Sequence, residues 1–158
     1  MKYILCLIFP LLFSHVILAQ NVAVFDKYEN LENSILSDKN TIYVVNFWAT
    51  WCSPCVKELP HFEKLNSENK NIKVLLISLD FKNQFESKLL PFLKKKSIDS
   101  EVVLLTDKDY NTWLPVVDKD WSGAIPATLI IKNGKKFFVE KIFSSYEELS
   151  EYVNNIIN

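Results

Sequence analysis

Three short apolar runs constrain the fold more than anything else in the chain: "TIYVVNF" at 41–47, "IKVLLISL" at 72–79 and "EVVLL" at 101–105. Each is rich in β-branched and aromatic residues and reads as a buried strand. Between them lie segments whose apolar residues recur at helical spacing. Val56, Leu59, Phe62 and Leu65 share one face of a helix that begins around Cys52, with Pro60 expected to kink it. Phe85, Leu89, Leu90, Phe92 and Leu93 do the same for a helix over 83–96, disturbed at Pro91. Strands alternating with helices imply a parallel sheet with helices on both faces.

The flanks complete the order. Tyr28, Leu31, Ile35 and Leu36 predict a first helix over 26–38, and a short helical piece is expected around Tyr110 to Leu114. In "IPATLIIKNGKKFFVEKI" two strand-like runs flank Asn133-Gly134. Asn-Gly is a strong hairpin signal, because both turn residues must accept positive φ. "SSYEELSEYVNNII" is an amphipathic helix, with Ser144 and Glu147 in a capping-box pattern. The expected architecture is α/β: a central mixed sheet, parallel β-α-β plus a C-terminal antiparallel hairpin, with helices on both faces. No repeat or linker divides it, so residues 20–158 read as one domain, long enough to bury a core.

Residues 1–19 stand apart. Lys2 is followed by an apolar run to Leu18, and small Ala19 suits cleavage just before Gln20. This is the layout of a secretory signal peptide. The alternative is an uncleaved membrane anchor, but the run is short and Pro10 and His15 interrupt it. Cys6 lies too early in the apolar run for a lipid anchor and is expected to leave with the leader. The protein is thus expected to be exported, periplasmic or otherwise extracytoplasmic, and soluble after cleavage.

Net charge is −1 and no residue is arginine, which argues against a nucleic-acid surface. Lys94, Lys95 and Lys96 read as the solvated C-terminal end of a helix. Two cysteines remain, Cys52 and Cys55. Outside the cytosol a structural disulfide is plausible. A loop this small, however, removes little freedom from the unfolded chain and is a poor staple for the domain. A structural zinc site needs four ligands, and the mature chain offers one cysteine pair and His61, which reads as a surface histidine.

Placement at a strand-to-helix junction favours the third reading, a redox pair. Unpaired N–H groups at a helix start stabilise negative charge, so a thiolate at Cys52 becomes a usable nucleophile. Cys55 lies one turn inside and keeps its proton longer. Cys52 is expected to attack a client disulfide, and Cys55 then to attack Cys52 and release the reduced client.

"FWATWCSPCVKELP" and "GAIPAT" together resemble the active site of the thioredoxin-like superfamily, and the order of elements fits over nearly the whole mature chain. The nearest branch is the exported TlpA/ResA-like group of thiol–disulfide oxidoreductases, whose additional central strand and helix segments 72–105 can supply. The resemblance implies a cis-proline at Pro126, packed against the cysteines. The Ile125 backbone would then be offered to a client strand, beside Trp51. Together Trp51, Ile125 and Pro126 form the expected substrate-binding set.

Two positions depart from cytosolic thioredoxins. Their buried aspartate is replaced by Asn46, which cannot take up a proton. The TlpA/ResA-like branch instead has a glutamate three residues past the second cysteine, and Glu58 fits that place. Cys55 and Glu58 at i, i+3 can be neighbours, so the carboxylate can raise the thiol's pKa and exchange protons with it. The alternative is that Glu58 is a surface charge. The intervening pair Ser53-Pro54 resembles that of reductants, which places the expected potential in the reducing half of the range from about −270 to −120 mV.

The expected function is an exported thiol–disulfide oxidoreductase, a reductase of protein disulfides with Cys52, Cys55 and Glu58 catalytic. It needs no bound cofactor or metal and is expected to be a monomer. The resemblance implies a membrane-embedded thiol electron donor and makes apocytochrome c one candidate client, hence a link to cytochrome c biogenesis. The alternatives are a disulfide donor or isomerase, or a binding module that keeps only the fold. A peroxidase would need a lone cysteine with a flanking threonine and an activating arginine, which the sequence lacks.

Overall fold

The computed structural model describes residues 21–158. The expected leader, with Cys6 and the cleavage position, lies outside them. Six strands form one sheet in the order β1-β4-β3-β2-β5-β6. They are β1 (Ala23–Phe25), β2 (Ile42–Trp48), β3 (Ile72–Ser78), β4 (Glu101–Leu105), β5 (Ala127–Lys132) and β6 (Lys135–Val139). β1, β4, β3 and β2 are mutually parallel; β5 runs antiparallel to β2, and β6 to β5. The helices are α1 (Tyr28–Leu36), α2 (Ser53–Glu68), α3 (Leu90–Lys96), α4 (Tyr110–Val117) and α5 (Tyr146–Ile157).

Strand periodicity divides the core into two layers. Val44 and Trp48 of β2, with Val74, Leu76, Val102 and Leu104, meet Cys55, Leu59, Phe62 and Leu65 of α2 and Leu149 and Val153 of α5. Tyr43, Val45 and Phe47, with Leu75, Ile77 and Val103, meet Tyr28, Leu31 and Ile35 of α1 and Trp113 and Val117 of α4. Successive side chains of a strand alternate between faces, so both faces being covered explains the largely apolar runs.

Three local expectations are corrected. Strand β1 was not foreseen: three residues are too short to show a period, and the helix expected over 26–38 starts only at Tyr28. The helix expected over 83–96 is a 3₁₀ turn (Lys82–Gln84), a π turn (Phe85–Leu89) and then α3. Pro91 has no N–H for a bond four residues back and its ring crowds that carbonyl; the wider π turn, with Leu90 N–H donating to Phe85 O, makes room. Pro60 lies inside α2, which continues past it to Glu68. The cap of α5 is shifted by one residue. Ser145 is the N-cap, its hydroxyl accepting the Glu148 N–H, while Glu148 accepts from the Ser144 N–H and hydroxyl.

The hairpin forms as expected, with Asn133 and Gly134 at φ 52° and 75°. Lys94, Lys95 and Lys96 occupy the last turn of α3.

Candidate active site

The site is built where β2 ends and α2 begins. Trp48 closes β2, residues 49–51 form a short turn, and Cys52 is the N-cap of α2 in extended conformation. Its own N–H returns to Ala49 O at 3.1 Å. Pro54 sits in the first turn, where a missing N–H costs no helical bond. The Cys55 N–H points at Cys52 Sγ, 3.4 Å away. The Cys52 sulfur therefore occupies the place where capping side-chain oxygens usually sit, facing the unpaired donors of the helix start. The two sulfurs are joined as a disulfide. Cys52 keeps a sliver of exposure, 6%, and Cys55 none.

Antiparallel pairing of β5 with β2 brings the second motif alongside. Phe47 is opposite Ala127, so Pro126 falls level with Trp48 at the end of β2 and Ile125 just beyond it. The Ile125 carbonyl oxygen is 3.7 Å from Cys52 Sγ, and the Ile125–Pro126 bond is cis. Gly123 turns the chain into this loop at φ 87°, and Trp121 Nε1–H donates to Ala124 O at 2.9 Å. Trp51 is 58% exposed beside Cys52. Of the expected substrate-binding set, Ile125 meets the Cys52 sulfur through its carbonyl, while Trp51 and Pro126 are the chain neighbours of Cys52 and Ile125.

Glu58 is not a surface charge: it is 1% exposed. One turn beyond Cys55, it points into the layer between α2 and the sheet. Its carboxylate accepts the Phe143 N–H at 2.9 Å and Asn46 Nδ2–H at 2.8 Å. Burial pushes its carboxyl up to about 7; the two donors oppose that rise without cancelling it, and the charge of Glu148 adds to it. Asn46, inward on β2, is itself fully buried.

Sequence reasoning missed the support beneath the turn. Asp80, 2% exposed just past β3, accepts the Thr50 N–H at 3.0 Å, the Thr50 hydroxyl at 2.5 Å and the Ser78 hydroxyl at 2.8 Å. It ties the residue before Trp51 to the neighbouring strand. A carboxylate at the carboxyl end of a buried parallel strand was the available signal, since sites of α/β sheets gather there. Phe143 carried no signal, because it contributes only its backbone. His61 is half-buried on α2, and among the described residues no group of three or more His, Cys, Asp or Glu side chains is placed to hold a metal.

The arrangement can hold a thiolate at the helix start, deliver a second thiol from one turn deeper, and store a proton on a buried carboxyl. Among proteins of known kind, the chain is 32% identical over 115 residues to the thiol–disulfide oxidoreductase ResA of Bacillus cereus, covering 71% of this chain and 61% of that protein. It is 30% identical over 131 residues to ResA of Bacillus subtilis, covering 81% and 67%. The chain spans about half to two thirds of the length of the curated relatives it matches. The structure superposes with a TM-score of 0.63 on a thioredoxin-family thiol:disulfide interchange protein of Chlorobium tepidum, 20% identical, over 80% of this chain and 85% of that one. The fold is therefore thioredoxin-like. The sequence profile of the AhpC/TSA family matches residues 19–137, and the chain belongs to that family.

Proposed function

We propose that the protein is an exported thiol–disulfide oxidoreductase that reduces disulfides in other proteins. The observation that carries this reading is the Cys52 sulfur at the N-cap of α2, with the Cys55 N–H aimed at it and Cys55 one turn behind. In the dithiol form Cys52 loses its proton more readily, because the helix start stabilises the thiolate. The thiolate attacks one sulfur of a client disulfide. A Cys52–client bond forms, and the other client sulfur leaves as a thiolate and takes a proton from water.

Cys55 then gives its proton to Glu58 and attacks Cys52 Sγ. The intramolecular disulfide forms, and the second client sulfur leaves as a thiolate and takes a proton from water, to which Glu58 later returns the one it holds. The client gains two electrons and two protons, and the protein is left as the disulfide. Glu58 suits the proton step because its carboxyl, pushed up to about 7, is near neutrality in both forms. A client strand runs beside Ile125 with Trp51 against it. An external dithiol, on this reading a membrane-embedded thiol donor, restores Cys52 and Cys55. Apocytochrome c fits as one client, since its haem-attachment cysteines must be reduced.

Residues 1–19 act as the export signal on this reading and 20–158 as the catalytic domain. Among the described residues no helix is long and apolar enough to cross a membrane. The test is equilibration of the Cys52–Cys55 pair against glutathione buffers, together with reduction of insulin disulfides. A potential in the reducing half of the range from about −270 to −120 mV, with insulin reduced, supports the reading. A potential near the oxidising end makes the protein a disulfide donor, and an unreactive pair makes it a binding module.

A further inference from the structure

Asn46 is the one polar residue in a strand otherwise built of apolar side chains: Val44, Val45, Phe47 and Trp48 of β2 are, like it, fully buried. A buried amide is costly unless its atoms are paired. Here the pairing is lopsided. Nδ2 makes every contact: Glu58 Oε1 at 2.8 Å, and Ala127 O and Thr128 Oγ1 at 3.5 Å each. Oδ1 is buried and has no partner. Asn46 is therefore oriented as a donor, which serves Glu58 while Glu58 is ionised.

Glu58 is poised to exist in both forms around neutrality, so the second form needs a partner too. Its Oε2 faces the Phe143 N–H, which can only donate. A proton on Oε1 would point at Nδ2, donor against donor. A half-turn of the Asn46 amide replaces Nδ2 by Oδ1 at that point. The two ends of an amide have nearly the same shape, so the turn needs no repacking. Thr128 fits both orientations, because a hydroxyl accepts from Nδ2 in one and donates to Oδ1 in the other. The Ala127 carbonyl can only accept and loses a contact that is already long.

We propose that Asn46 is a positioning residue that holds Glu58 in place in both of its protonation states, reversing its amide as the carboxyl gains or loses its proton. Glu58 is bonded to Asn46 on β2 and to the Phe143 amide ahead of α5, and Cys55 lies one turn before it on the same helix. Glu148 lies close enough for its charge to act and is itself paired with Lys141. The inference rests on the reading that Glu58 takes the Cys55 proton. A fixed donor would favour only the ionised carboxylate and would resist that transfer; a reversible partner lets the proton arrive without leaving a buried hydroxyl unpaired.

The test uses the disulfide form, in which neither thiol titrates. The Glu58 carboxyl is followed by ¹³C NMR, and the Asn46 amide hydrogens by their Overhauser contacts. Contacts between those hydrogens and the Thr128 side chain are expected above the Glu58 midpoint and lost below it. The same contacts on both sides of the midpoint would overturn the proposal. Stability gives a second readout. Asn46→Ala is expected to be destabilised at pH 5 and pH 8.5 alike, with the Glu58 midpoint little moved. Destabilisation only at pH 8.5, with the midpoint raised by about one unit or more, identifies a fixed donor and overturns it. None of these measurements reads client reduction, so an inactive protein would refute the proposed function and leave this test standing.

Discussion

Replacing Glu58 by glutamine should change how stability depends on pH more than it changes stability itself. The native carboxyl is pushed from 4.5 up to about 7, chiefly by burial. A carboxyl with a raised native pKa binds its proton more tightly folded than unfolded. Its contribution is fully present below pH 4.5, declines as pH rises, and is gone above about pH 7. At about 1.4 kcal/mol per pKa unit the whole decline is about 3 kcal/mol. Glutamine has no such proton. Its carbonyl can still accept the Phe143 N–H, and its amino group can donate to Asn46 Oδ1 if that amide turns. The difference in unfolding free energy between the two proteins should therefore move by about 3 kcal/mol between pH 4 and pH 8, the variant gaining on the parent as pH rises. Urea denaturation of both disulfide forms across that range is the assay, and taking the difference removes every group the two proteins share. A difference flat across the range would show that Glu58 does not titrate there. A difference of opposite sign would show that the two hydrogen-bond donors outweigh burial.

Three further outcomes are expected. Cys55→Ser should accumulate mixed disulfides with client proteins, seen as mass-shifted species on non-reducing gels, and Cys52→Ser should not; equal trapping would sink the assignment of roles. Trp51→Ala should raise KM for a protein client by about tenfold, or about 1.4 kcal/mol, and leave the reaction of Cys52 with a small alkylating reagent unchanged. An unchanged KM would remove Trp51 from the client surface. Asp80→Ala should cost about 3 kcal/mol in denaturant unfolding, because it orphans two donors on half-buried Thr50 and one on buried Ser78; a loss under about 0.5 kcal/mol would mean that water replaces the carboxylate.

How far the fold was legible follows from the length over which each signal acts. The strands β2, β3 and β4 were readable because burial on both faces imposes a largely apolar run. The hairpin was readable because only a few residue pairs tolerate two successive positive φ values, and Asn133-Gly134 is one. β1 was not, since its place is set by pairing with β4, some eighty residues away in the chain. The π turn before α3 was half visible. Pro91 announced a disturbance, but whether a helix breaks, kinks or widens there depends on what packs around it. At Pro60 the same residue type lies inside α2, which continues past it, so the proline alone does not decide the outcome.

The site divides along the same line. The setting of Cys52 depends on a sulfur and an N–H three residues apart, so the motif was enough to place that sulfur at a helix start. What Glu58 can do depends on Asn46, twelve residues earlier, and on Phe143, eighty-five later. Spacing put Glu58 beside Cys55 but could not say whether it faced water. Once it is buried, two effects compete. The donors favour the carboxylate, and loss of water favours the acid. The outcome, a carboxyl near 7, requires that desolvation exceed two good hydrogen bonds, one of them from a backbone group that no side chain advertises. The setting of the proposed nucleophile is therefore a local property of the chain, and that of the proposed proton store is a property of the packed fold. Substitutions in the β5–β6 hairpin or ahead of α5 that shift Phe143 can detune the second while leaving the first intact.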